Sequence, residues 1–119
     1  MKKSNALAAL AALAQENRLD VFRLLVRAGR DGMPAGSIAN ALKLAPNTLT
    51  FHLDRLREAD LAAVRREGRS MIYTARYDTM TGLLAFLTEN CCQGNPEQCL
   101  PAEAIKSARS STRRKEQVS

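Results

Sequence analysis

All three cysteines of the chain fall within nine residues, Cys91-Cys92-Gln93-Gly94-Asn95-Pro96-Glu97-Gln98-Cys99. The adjacent pair is a poor disulfide: neighbouring Cα atoms sit about 3.8 Å apart, and a bridge usually needs at least about 4.4 Å. Three thiols cannot all pair within one chain, and cytosolic thiols stay reduced. In that state the sulfurs can converge on one soft ion across the Gly94-Asn95-Pro96 turn, where Gly94 supplies backbone freedom and Pro96 limits the entropy of the free loop. Thiolates select soft or borderline ions, and protein zinc sites usually take four ligands. Three sulfurs therefore suit trivalent arsenic or antimony, which keep a lone pair and bind as a trigonal pyramid. A zinc or cadmium site completed by Glu97 or a tail residue, a redox switch, and inert thiols remain open readings.

A second group of residues is suited to binding a polyanion. Asn47, Thr48, Thr50, Phe51, His52 and Arg55 follow Pro46 in one stretch, and Arg65, Arg66 and Arg69 flank Glu67-Gly68. Short hydroxyl and amide side chains allow close approach to a groove floor, and the arginines supply charge. His52 is the only histidine. With no second histidine or carboxylate in register it reads as a packing residue or a DNA contact rather than a metal ligand.

These groups need elements to hold them. Ala6–Leu13 is an Ala/Leu helix with little polar face, so something must cover it. Asn17 suits the cap of a second helix, with Leu19, Phe22, Leu25 and Val26 inward and Arg18, Arg23 and Arg27 outward. After the Asp31-Gly32-Met33 turn, Pro34 suits the first position of a short third helix carrying Ile38, Ala41 and Leu42. Pro46 opens a fourth helix running to about Ala59, with Leu49, Leu53 and Leu56 as its buried stripe. Leu61–Arg66 and Ser70–Ala75 read as strands joined at Glu67-Gly68-Arg69, a hairpin with an arginine-rich tip. Asp78 or Thr79 can cap a last helix lined by Met80, Leu83, Leu84 and Leu87, and widened by Phe86. The expected fold is mainly α with a β-hairpin: a winged helix-turn-helix, homodimeric, whose fourth helix enters the major groove while the hairpin reaches toward the backbone.

The 119 residues suit one domain. Eighteen Lys+Arg oppose twelve Asp+Glu, a net +6, which favours nucleic acid as partner. Residues 101–119 hold five basic and two acidic side chains, so half of that excess lies on the body. Residues 1–100 are read as a DNA-binding and dimerisation domain ending in the cysteine loop, and 101–119 as a basic, disordered tail. No apolar run reaches the roughly 20 residues of a membrane helix. Lys2-Lys3 before Ala6–Ala14 imitates a signal peptide, but Gln15-Glu16-Asn17-Arg18 offers no small-residue cleavage site. A cytoplasmic protein with no membrane partner is expected.

Residues 17–77 resemble the ArsR/SmtB-type metalloregulatory repressors. The resemblance is carried by Asn17-Arg18-Leu19-Asp20-Val21-Phe22-Arg23-Leu24-Leu25, by Pro46-Asn47-Thr48-Leu49-Thr50-Phe51-His52-Leu53-Asp54-Arg55-Leu56, by Glu58-Ala59-Asp60-Leu61 and by the Arg65–Tyr73 wing. Phe51 stands where the family commonly has His, and Asp60 where the turn usually has Gly. The resemblance implies a homodimer built on the first and last helices, here Leu7, Leu10, Leu13, Met80, Leu83, Leu84 and Leu87. It also implies repression of operator DNA in the apo state and release on binding metal. The family's zinc site on the last helix is absent here: Asp78 is present, but Met80 and Cys91 stand in its histidine positions. The third helix, Ile38-Ala39-Asn40-Ala41, carries no thiol. Cys91, Cys92 and Cys99 thus resemble the arsenic-responsive branch, with As(III) or Sb(III) as effector. A small thiol-dependent arsenate reductase is the alternative of another class, but no Gly-rich phosphate loop or Cys-x-x-Cys supports an enzyme. No catalytic cofactor or small-molecule substrate is expected.

Overall fold

The computed structural model describes residues 1–90. Cys91, Cys92, Cys99 and the expected tail lie outside the described residues. The chain divides into two compact units after Leu83, and of the second unit 84–90 are described. Among the described residues no helix is long and apolar enough to cross a membrane.

Among the described residues, five α-helices and three strands follow in the order α1 (Lys3–Leu13), α2 (Glu16–Ala28), a 3₁₀ turn (Gly29–Asp31), β1 (Met33–Pro34), α3 (Ala35–Leu42), α4 (Pro46–Glu58), β2 (Ala62–Glu67), β3 (Ser70–Ala75) and α5 (Tyr77–Leu87). This is the mainly helical winged fold expected from the sequence. Val21 and Leu25 of α2, Ile38 of α3, Leu49, Leu53 and Leu56 of α4, and Leu61 before the wing form its fully buried centre. Burying a leucine side chain contributes roughly 1.5–3 kcal/mol, so this cluster fixes α4 against α2 and α3.

Several boundaries differ from the sequence expectation, each for a local reason. Helix α2 begins at Glu16, so its cap is Gln15, whose side-chain oxygen accepts the Arg18 N–H at 2.8 Å; Asn17 is already inside the helix. Its buried face is Val21, Phe22 and Leu25, while Leu19 is exposed. Pro34 precedes α3 rather than opening it, because β1 holds it extended against Ile72 of β3. Helix α5 starts at Tyr77, ahead of both expected caps, and Met80 N–H bonds back to Arg76 O at 3.1 Å. Asp78 then sits in the first turn, where a carboxylate suits the helix dipole, and its paired Arg76 holds its carboxyl below the usual range.

Two turns set the angle between α3, α4 and the wing. After α3, Lys43 takes a left-handed conformation and Leu44 N–H reaches back to Ala39 O at 3.0 Å. After α4, Asp60 adopts φ 60° and Leu61 N–H reaches back to Leu56 O at 2.9 Å. Both are Schellman-type closures, normally served by glycine. The family's usual glycine at the second is replaced by Asp60, and the backbone keeps the left-handed geometry nonetheless.

The sheet order is β1-β3-β2, antiparallel throughout, with Arg66 opposite Met71 and Glu67 opposite Ser70. Gly68 takes φ 61° at the first loop position, as a II′-type hairpin turn requires. Gly32, at φ 72°, lets the chain pass under β3. A Cβ there would overlap the Tyr73 carbonyl oxygen and lie 2.7 and 2.8 Å from the Cγ2 methyls of Thr74 and Ile72.

Candidate nucleic-acid interface

Helix α4 presents two faces with different chemistry. Leu49, His52, Leu53 and Leu56 point into the protein, and Asn47, Thr48, Thr50, Phe51 and Arg55 point outward. Pro46 occupies the first turn, where its missing N–H costs nothing. Thr50 donates its hydroxyl to Pro46 O at 2.9 Å. Arg55 lies with its guanidinium carbon 5.1 Å from the Phe51 ring centroid and pairs with Glu58 at 2.7 Å. That pair is exposed on both sides, so it adds little stability.

His52 does not belong to this outward group. It is 5% exposed, and its Nδ1 lies 3.4 Å from an Arg18 guanidinium nitrogen. Burial, then the Arg18 charge, pushes its pKa below 6.5, so the imidazole is neutral and acts as a packing residue. The expectation of a direct DNA contact at His52 is corrected, because the side chain lies about 100° around the helix from exposed Phe51 and faces the core. Arg18 was expected on the outer face of α2; it is half-buried, and its Nε donates to Ala12 O at 2.8 Å. A signal existed: Arg18, Val21, Phe22 and Leu25 fall at i, i+3, i+4 and i+7, the inward stripe. Arg18 thus holds the end of α1 and lies beside His52 on the inner face of α4.

The wing arginines also separate. Arg65 donates to Glu67 at 2.7 Å, to Arg30 O at 3.1 Å and to Asp31 O at 2.8 Å. Three of its five N–H donors are used in this way, two of them bracing the wing against the 3₁₀ turn, and the side chain stays exposed. Arg66 and Arg69 are exposed at the tip, and Arg66 makes one 3.1 Å bond to Gly68 O.

Of the residues expected at a dimer interface, Leu7 and Leu10 are 59% and 40% exposed, because α1 turns Ala6, Ala9 and Ala12 inward. Leu13 and Met80 are half-buried, and Leu84 and Leu87 are exposed. Leu83 is 6% exposed within its own chain and is a core residue. Among the described residues no group of three His, Cys, Asp or Glu side chains is placed to hold a metal ion.

The helix-turn-helix domain family matches residues 13–65. The chain is 34% identical over 77 residues to YceK of Bacillus subtilis (strain 168), an uncharacterized HTH-type transcriptional regulator, covering 64% of this chain and 76% of YceK. It is 30% identical to NolR from Sinorhizobium fredii, with a TM-score of 0.59 over 74% of this chain and 85% of NolR. The chain belongs to the ArsR/SmtB-type family. It is a DNA-binding transcriptional regulator and not an enzyme. The fold is also that of the homodimeric winged helix-turn-helix DNA-binding domain of Mb0332 from Mycobacterium bovis, a possible ArsR-family regulator. That match is 24% identical with a TM-score of 0.60, covering 73% of this chain and 81% of Mb0332.

Proposed function

We propose that this ArsR-family chain is a cytoplasmic, homodimeric repressor that holds operator DNA in its apo form and releases it on binding As(III) or Sb(III). The carrying observation is the outward stripe of α4, Asn47, Thr48, Thr50, Phe51 and Arg55, flanked by the exposed wing arginines Arg66 and Arg69. In this reading the stripe enters the major groove and the wing tip meets phosphates. The exposed Leu7 and Leu10 of α1, with Leu84 and Leu87 of α5, are large apolar side chains that a second copy would cover. Pairing would place two reading helices on successive major grooves, roughly 34–36 Å apart.

The donor set Cys91, Cys92 and Cys99 supports a soft, three-coordinate effector, and the first of them follows α5 within a few residues in sequence. A coupling of about 1–3 kcal/mol between the thiol site and DNA corresponds to a 5- to 150-fold loss of operator affinity. The test is a gel shift on the DNA upstream of the chain's own gene, titrated with arsenite, antimonite, cadmium and zinc. Arsenite or antimonite is expected to free the DNA, and Cys91→Ser and Cys99→Ser proteins should stay bound. Release by cadmium or zinc alone would reassign the effector. Equal release of the serine variants would remove the thiol site.

A further inference from the structure

We propose that Phe51 is the residue with which the reading helix selects a thymine, by packing against its C5-methyl group. The inference rests on α4 being the major-groove reader and goes beyond it by naming what one side chain reads. Phe51 is 53% exposed in the middle of a polar helix face, four residues after Asn47 and four before Arg55. Residues at that spacing share one stripe, so Phe51 lies at the centre of the outward surface rather than on its rim. The packing of α4 does not need it there, because Leu49, Leu53 and Leu56 already supply the inward stripe.

The ring is also held in place. Arg55 stacks over it at 5.1 Å and itself pairs with Glu58 at 2.7 Å; the His52 imidazole meets it at 5.7 Å with the planes 62° apart. His52 is buried, so one neighbour of the ring belongs to the core and the other to the surface. Held between them, the ring is an apolar probe of defined position, and less side-chain entropy is lost when it docks.

A phenyl ring has no donor or acceptor, so it cannot read the hydrogen-bonding edge of a base or bind a phosphate oxygen. On the major-groove floor the apolar group that distinguishes one base from the others is the thymine methyl. Burial of a group this size is worth about 0.8 kcal/mol, close to fourfold in affinity per site. Two half-sites read by two copies would give about fifteenfold.

The experiment begins with selection of bound duplexes from a random-sequence pool by the full chain. Each thymine of the enriched site is then replaced singly by deoxyuridine, which deletes only the methyl. The wild type is expected to lose about fourfold at one thymine per half-site and nothing at the others. Phe51→Ala should bind more weakly overall and be indifferent to deoxyuridine there, and Phe51→Leu should keep part of the preference. Thermal unfolding should match the wild type for both variants, because the side chain is exposed. Failure to enrich any sequence removes the DNA reading of α4, and this inference with it. Enrichment with no deoxyuridine-sensitive thymine, or with the same sensitivity in Phe51→Ala, overturns this inference alone.

Discussion

Replacing Arg18 by alanine should loosen α1 far more than the rest of the protein. Helix α1 has 11 residues, a length at which an isolated helix is marginal in water. Its buried residues are Ala6, Ala9 and Ala12. Three methyl-sized groups contribute about 2.5 kcal/mol at roughly 0.8 kcal/mol each. The Arg18 Nε bond to Ala12 O, 2.8 Å long, adds a charge-assisted hydrogen bond to a carbonyl at the helix's negative end. Such bonds contribute about 1.5–3 kcal/mol. The contact to His52, at 3.4 Å, is too long to add much. Arg18→Ala should therefore cost about 2 kcal/mol and remove nearly half of what docks α1 within its own chain. Hydrogen–deuterium exchange is the direct assay, since local opening free energies differ between elements. Amides of α1 should exchange about 30-fold faster, while those of α4 and the β2–β3 ladder change much less. Arg18→Lys should recover part of the protection. Unchanged α1 protection, or an equal loss across all elements, would refute the clamp.

Three further outcomes follow from particular residues. Asp60 at φ 60° occupies a glycine-type position, so Asp60→Gly should stabilise the fold by about 0.5–1 kcal/mol, read as a higher urea midpoint; no gain would contradict the assignment of strain there. Gly32→Ala would place a methyl against Tyr73, Thr74 and Ile72 and should cost about 1–3 kcal/mol, with the Met33 amide losing protection first. His52 is the one histidine, and its pKa lies below 6.5 in the native state. The unfolded chain then binds the proton more readily, so stability should fall as pH drops below about 6.5 and level off beneath the native pKa. Urea unfolding between pH 7.5 and 5.5 should show this in the wild type and not in His52→Gln.

Helix α4 and the wing were legible because their signals are local. Pro46 fixes where α4 can start, the Leu49-Leu53-Leu56 spacing fixes its inward face, and Gly68 between two β-prone runs fixes the hairpin. What the sequence did not reveal depends on partners distant in the chain. Two-residue β1 has no periodicity of its own and exists because β3 pairs with it. The inward alanines of α1 are invisible to a search for large apolar stripes, which picks out the exposed Leu7 and Leu10 instead. Arg18 and Arg65 look like surface charges until their acceptors, the carbonyls of Ala12, Arg30 and Asp31, are brought beside them. His52 and Phe51 are adjacent in sequence yet fall on opposite sides of the α4 boundary between core and surface. The proposed thiol site is legible as chemistry alone: three sulfurs in nine residues offer a donor set without specifying its geometry.

The central claim is that the outward face of α4 and the tip of the wing are the DNA-binding surface. The salt dependence of binding to a fluorescent duplex tests it most directly. Each phosphate contact removed should reduce the slope of log affinity against log salt by about 1. Arg66→Ala and Arg69→Ala are each expected to show that reduction on specific and unrelated duplexes alike, while Thr50→Ala weakens only the specific site. Slopes unchanged from the wild type in both arginine variants, with Thr50→Ala binding normally, would contradict it.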